Sequence, residues 1–296
     1  MIQDIKPHRF LNEYRIKAID KEDFVLIYQK NGIWMKNYND TIQLPIYKEL
    51  KETLGEELNY RYLFDIDGEA YFLGEPFKDG NMIHNNIDLL DHHIESLQQL
   101  GYHLEENRIY RHYQPMWKAF ACAVGEHLAR WYQGNQFCGV CGSHLQDHGA
   151  QRALVCKNCG KTIYPTISPC VIVAITDGDR ILLTRYARGA YRNYALVAGY
   201  AEIGETIEET VHREVYEETG LRVKNLRYYK SQPWSFTDTL LFGFFAELDG
   251  SDQVTLQEDE LSEAIWLHRS EIPVSSVKLS LTSEMIEVFI NQVKSI

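Results

Sequence analysis

The chain has 296 residues, 45% apolar and 24% charged, a balance typical of globular proteins and a length sufficient for two or three domains. No stretch approaches the roughly 18–20 apolar residues that a membrane-spanning helix needs, so no membrane partner is expected. A formal net charge of −12 argues against broad electrostatic binding of nucleic acid but not against gripping a single nucleotide end.

The opening MIQDIKPHRF has no apolar signal core, which points to the cytoplasm. Residues 1–110 alternate strand-like pieces (Phe24–Tyr28, Arg61–Ile66, Ala70–Leu73) with polar, Gly-containing turns and read as a mixed α/β domain. Residues 111–135 space their apolar side chains by three and four, which predicts a connecting helix with Pro115 in its first turn. Four cysteines follow at 136–166: Cys138-x2-Cys141, then fourteen residues, then Cys156-x2-Cys159. Two such knuckles suit a tetrahedral structural zinc, Zn2+, closed to any catalytic water; two disulfides are the alternative that a reducing compartment disfavours. His144 and His148 read as surface residues beside it. Cys122 and Cys170 sit in apolar runs and read as small core residues.

Residues 167–296 change character. SPCVIVAIT is a nearly continuous apolar run, as a strand buried on both faces would be, and the turn Asp177-Gly178-Asp179 leads into ILLTRY to form a hairpin. Thr206, with Glu209 three residues on, is a capping-box signal, and Gly220 is a C-terminal stop, so a helix is expected over about 207–219. Its apolar stripe is Ile207, Val211 and Val215. Glu214, Glu217 and Glu218 stand at i, i+3 and i+4 and therefore share one helical face, with Cβ atoms about 5–6 Å apart. Carboxylates so crowded favour a bound cation, and oxygen-rich sites suit Mg2+ or Mn2+, which in turn bind phosphate. Glu218 falls about 20° from Val211 in angle, at the apolar stripe, so it is expected to face the sheet. Further strands are expected at Val223–Tyr229, Leu240–Glu247 and Ala264–Leu267.

The stretch Gly199–Leu221 reads G-x5-E-x7-R-E-V-x-E-E-x-G-L, and through Gly199, Glu205, Arg213, Glu214, Glu217, Glu218 and Gly220 it resembles the Nudix box. The segment Ser231-Gln232-Pro233-Trp234-Ser235-Phe236-Thr237-Asp238-Thr239 resembles the SQPWPFPxS array of the NADH pyrophosphatases within that superfamily. Ser235 and Thr237 stand here for two prolines, which makes the segment less preorganised, and Thr239 stands for a serine. The cysteine ribbon followed by Tyr164-Pro165 strengthens the resemblance, which runs from about 136 to 268.

That resemblance implies an α+β protein: an N-terminal mixed α/β domain, a zinc ribbon and, over 167–296, a Nudix α/β/α sandwich. It implies metal-dependent cleavage of the NADH or NAD+ diphosphate to nicotinamide mononucleotide and AMP, including NAD caps on RNA 5′ ends. It also implies a homodimer. Glu214, Glu217, Glu218 and Glu260 would hold the divalent cation, with the Ala198 carbonyl as a further ligand. Arg213 would fix a box carboxylate, and Glu205 would support the same network. Glu260 would be a ligand or general base, with Glu258, Asp259 and Glu263 as competitors. The substrate contacts would be Tyr164, Tyr200 and Gln232 through Thr239. Two other readings stay open: a Nudix hydrolase of ADP-ribose or another dinucleotide, and a non-catalytic zinc-ribbon binding protein.

Overall fold

The computed structural model describes residues 1–30, 32–78, 81–82, 91–188, 193–257, 259–273 and 279–291, with the side chains of 77–78 and 81–82 excepted. The chain divides into two compact units, one of Ile2–Thr166 with Ser235–Thr237, the other of Met1, Ile167–Trp234 and Asp238–Ile296.

The first unit is built on a sheet that runs Phe10–Leu11, Leu58–Ile66, Glu69–Lys78, Phe24–Leu26, the last pair parallel. The expected strand Phe24–Tyr28 is two strands. Phe24–Leu26 pairs with Tyr71–Leu73, whereas Tyr28–Gln29 pairs with Gly32–Ile33 in a second sheet. The break falls at Ile27, whose carbonyl accepts from Trp34 N at 2.9 Å, so the chain changes partners there. Helices α1 (Tyr47–Leu54) and α2 (Asp91–Gln99) flank these strands; α3 (Asn107–Tyr110) is a single turn. Helix α4 spans Met116–Gly134, with Pro115 as its N-cap residue rather than inside its first turn. Its small residues Ala119, Ala121, Cys122 and Ala123 are buried, which places Cys122 in the core as its apolar context required. The ribbon contributes three short antiparallel strands, Leu145–Asp147, Leu154–Cys156 and Thr162–Ile163.

The second unit is a six-stranded mixed sheet between two helices. Its order is Val223–Trp234, Thr239–Leu248, Ser168–Asp177, Arg180–Tyr186, Leu261–His268, with Val197–Tyr200 also paired to Ser168–Asp177. The central strand explains its own sequence. Val171, Val173 and Ile175 pack on one face with Val211 and Val215 of helix α5 (Ile207–Thr219). Cys170, Ile172 and Ala174 pack on the other with Leu281, Met285 and Phe289 of helix α6 (Leu281–Asn291). Successive strand residues point to opposite faces, so covering both faces demands an unbroken apolar run.

Helix α5 has the bounds its signals predict. The Thr206 hydroxyl accepts from Glu209 N at 3.2 Å, the Glu209 carboxylate accepts from Thr206 N at 2.8 Å, and Gly220 ends the helix at φ 70°. Thr206→Ala is therefore expected to lower stability by about 1 kcal/mol, read as a shift of the urea midpoint at unchanged slope. The strand expected over Val223–Tyr229 runs on to Trp234, because Trp234 pairs with Thr239 and closes a hairpin. Ser231–Trp234 are thus strand residues, and only the turn beyond them is irregular.

Candidate active site

Capping and C-terminal stop set the phase of α5, and that phase decides which carboxylates meet the sheet. Glu217 is exposed, Glu214 is 9% exposed and Glu218 is 2% exposed. The Glu218 carboxylate accepts from the backbone of Ala198, yet its Oε2 is buried without a hydrogen-bond partner. Burial, then the charges of Glu214 and Glu260, push its pKa up to about 8. Burial also raises Glu214, against the opposing pull of Arg213. A buried carboxyl with an unspent oxygen, next to two more carboxylates, is destabilised as an anion unless a cation joins it.

Arg213 organises the exposed side of this cluster. Its guanidinium donates to Glu205 Oε1 at 2.6 Å and Oε2 at 2.9 Å, to Glu214 Oε1 at 2.7 Å, to Glu217 Oε2 at 2.9 Å and to the Tyr200 carbonyl at 2.8 Å. Such charge-assisted contacts set side-chain orientation. They hold Glu205 down at about 2, through Arg213 first and the Glu202 backbone second.

Gly199 stands where the strand meets α5. A Cβ built there would lie 1.9 Å from the Glu214 Cδ and 2.1–2.2 Å from its oxygens. Only glycine permits that approach. Gly199→Ala is expected to displace the Glu214 carboxyl and cut turnover by about 100-fold or more, because positioning errors near 1 Å carry that cost. Near-wild-type rates in a steady-state assay would contradict this.

A cleft of ≈ 720 Å³ opens at this point, lined by Ala198, Gly199, Tyr200, Glu202, Arg213, Glu214, Glu217, Gln257 and Glu260. Of the residues anticipated from sequence, Ala198, Tyr200, Arg213, Glu214, Glu217 and Glu260 line it, and Glu205 and Glu218 are tied to the same cluster. Among the competitors of Glu260, Asp259 pairs with Arg188 at 3.7 Å and Glu263 with Arg185 at 3.3 Å; Glu258 lies outside the described residues. Glu202 and Gln257 were not anticipated. Gln257 N donates to the Glu218 carbonyl at 3.1 Å, and its side-chain amide reaches Glu260 Oε1 at 3.4 Å. Its only sequence signal is its place immediately before the acidic run.

The segment expected to touch substrate has other occupations. The Gln232 amide is fully buried; it donates to the Leu279 carbonyl at 3.0 Å and accepts from Leu281 N at 2.7 Å, and so anchors the start of α6. Trp234 packs against the α6-side core, and Pro233 is exposed. The Asp238 carbonyl accepts from Ser168 N at 2.8 Å, and the Thr239 hydroxyl donates to the Trp234 carbonyl at 3.4 Å. Ser235, Phe236 and Thr237 belong to the first unit: Arg130 donates to the Ser235 carbonyl, and the Arg111 guanidinium lies 5.7 Å from the Phe236 ring. Tyr164, also in that unit, is 57% exposed and donates to Gln151 at 2.9 Å.

The four ribbon sulfurs gather within 4.8 Å of one another, with Cys138–Cys159 and Cys141–Cys156 each 3.5 Å apart. That is far beyond an S–S bond of about 2.05 Å and close to the ~3.8 Å edge of a tetrahedron with ~2.3 Å metal–sulfur bonds. The disulfide alternative therefore fails. The two knuckles repeat one turn: Gly142 N donates to the Cys138 carbonyl at 2.8 Å and Gly160 N to the Cys156 carbonyl at 2.9 Å, at φ 71° and 76°.

Compared with known proteins, residues 166–289 match the profile of the NUDIX domain. This part of the chain is similar to NUDIX domains. Two curated relatives, each named NAD-capped RNA hydrolase NudC, come from Salmonella paratyphi C (strain RKS4594) and Escherichia coli O9:H4 (strain HS). They are 40% and 39% identical to this chain over 163 residues. That span is 55% of this chain and 63% of each relative, so the chain spans somewhat under two thirds of the relatives' length. A solved NUDIX hydrolase from Nitrosomonas europaea is 22% identical, with a TM-score of 0.45 over 52% of this chain and 90% of that one. The matched residues include the sheet of the second unit and the carboxylate helix at its cleft.

Proposed function

We propose that the chain hydrolyses the diphosphate bond of NADH or NAD+ to nicotinamide mononucleotide and AMP, and that it removes NAD caps from RNA 5′ ends by breaking the same bond. The observation that carries this reading is the buried, unspent oxygen of Glu218 beside Glu214 and Glu260, two carboxylates that line the cleft. The relatives' name, NAD-capped RNA hydrolase, supports the choice of substrate.

Glu214, Glu217, Glu218, Glu260 and the Ala198 carbonyl would hold Mg2+ or Mn2+, and the cysteine set would hold Zn2+. When bound, the catalytic dication neutralises diphosphate oxygens and makes water a better nucleophile near neutral pH. The protein supplies the rest. Arg213 keeps the Glu205, Glu214 and Glu217 carboxylates in fixed orientation. Where Glu260 is not itself a ligand, its carboxylate would take the proton of the attacking water, and Gln257 donates to that carboxylate. Tyr200, 52% exposed at the cleft, offers a flat face for a nicotinamide or adenine ring. A homodimer working in the reducing cytoplasm completes the reading; sedimentation velocity tests the dimer.

The deciding assay incubates the full chain with NADH, ADP-ribose and NAD-capped RNA, with and without manganese. AMP released from NADH only with metal, and lost in Glu218→Gln, is expected. Turnover of ADP-ribose with NADH inert would favour the second substrate class, for which the replacement of two prolines by Ser235 and Thr237 speaks. No turnover of any substrate with metal present would end the enzymatic reading.

A further inference from the structure

We propose that Glu57, His92 and His93 form a transition-metal site in the first unit, distinct from the cysteine ribbon. Nε2 of His92 and Nε2 of His93 both lie 2.8 Å from one atom, Glu57 Oε2, and the three ligand atoms fall within 4.8 Å of one another. Adjacent residues on a helix diverge by about 100°, so neighbouring imidazoles ordinarily point apart. Here the two rings, on the first turn of α2, have centroids 4.1 Å apart and converge on a single oxygen supplied by the turn after α1.

The separations suit a small ion. A tetrahedron with bonds of about 2.0–2.1 Å has edges of ~3.3 Å, and the 2.8 Å contacts need open only by about half an ångström. Two imidazoles and one carboxylate are the donors of zinc, copper or nickel, whereas magnesium and calcium prefer oxygen alone. Each ring would then carry its proton on Nδ1 and offer the Nε2 lone pair. His93 is 1% exposed and gives a rigid ligand, while the His92 and Glu57 side chains are 54% and 49% exposed and leave a path for the ion and a coordinated water. The bound ion would clip the turn after α1 to α2, residues 35 and 36 apart in sequence.

The test compares the full chain with His92→Gln and Glu57→Gln, each equilibrated with zinc in excess magnesium and gel-filtered before elemental analysis. Both substitutions are at exposed side chains, which spares the buried His93 and the helix; circular dichroism checks this. The variants are expected to retain one zinc equivalent fewer than the parent chain. The wild-type minus His92→Gln difference spectrum of the cobalt-loaded chains should then show d–d absorption without thiolate charge-transfer bands. Equal zinc content in all three chains would overturn the proposal, as would a cobalt difference spectrum dominated by thiolate charge transfer.

Discussion

Glu218→Gln is expected to make the protein more heat-stable and to stop its chemistry. The carboxyl of Glu218 ordinarily titrates near 4.5 but is pushed up to about 8 by burial and by Glu214 and Glu260. The native state therefore holds this proton more tightly than the unfolded chain does. The sign follows: stability is greatest below about pH 4.5, falls as pH rises toward 8, and stays lowered above it. The isosteric amide carries no charge to bury. Since one pKa unit corresponds to about 1.4 kcal/mol, the ceiling is a few kcal/mol, or a rise in Tm of roughly 5–10 °C at pH 8.5.

At pH 5 the two proteins should melt almost together. Manganese should stabilise the wild type most at high pH, where it meets an ionised Glu218, and the variant least. Turnover of NADH should fall by about 100-fold or more, the usual loss when a charge aimed at the transition state is removed. Differential scanning calorimetry without added dications, at both pH values, reads the first effect and AMP release reads the second. A variant no more stable than wild type at pH 8.5 would mean that Glu218 is not the strained carboxylate described here.

Cys156→Ser is expected to unfold the ribbon. The three ribbon strands hold eight residues between them, and beyond its cysteines the ribbon buries few apolar side chains: Leu145, Ala153 and Leu154. So small a core cannot offset the entropy of ordering the segment. A structural zinc can, since its binding contributes about 10–16 kcal/mol in comparable modules. Cys156 is fully buried, 3.5 Å from Cys141, so an oxygen in place of its sulfur leaves the tetrahedron incomplete. Loss of one zinc equivalent and new protease cleavage within residues 137–163 are the expected results. A variant that keeps both its zinc and its protease resistance would contradict a metal-built ribbon.

Much was legible because it is local. The caps and stripe of α5, the double-faced run of Ser168–Asp177, the spacing of the ribbon cysteines and the core placement of Cys122 and Cys170 all depend on neighbours within a few residues. Periodicity and turn chemistry act at that range, and a single sequence displays them. The shared face of Glu214, Glu217 and Glu218 belongs to this class, and with it the expectation of a cation.

What needed the tertiary structure depends on residues brought together from far apart. The depth of Glu218, and so its raised pKa, comes from the sheet beneath α5. The Gln232 amide is held by Leu279 and Leu281, 47 and 49 residues away. Gln257 reaches Glu260 only because the backbone there folds back on Glu218. Glu57 meets His92 and His93 across a gap that no spacing rule covers. Chain-local forces set which faces are apolar, acidic or thiolate-bearing; the packing of elements set which of those faces meet, because burial and convergence are properties of partners that the contiguous sequence does not contain.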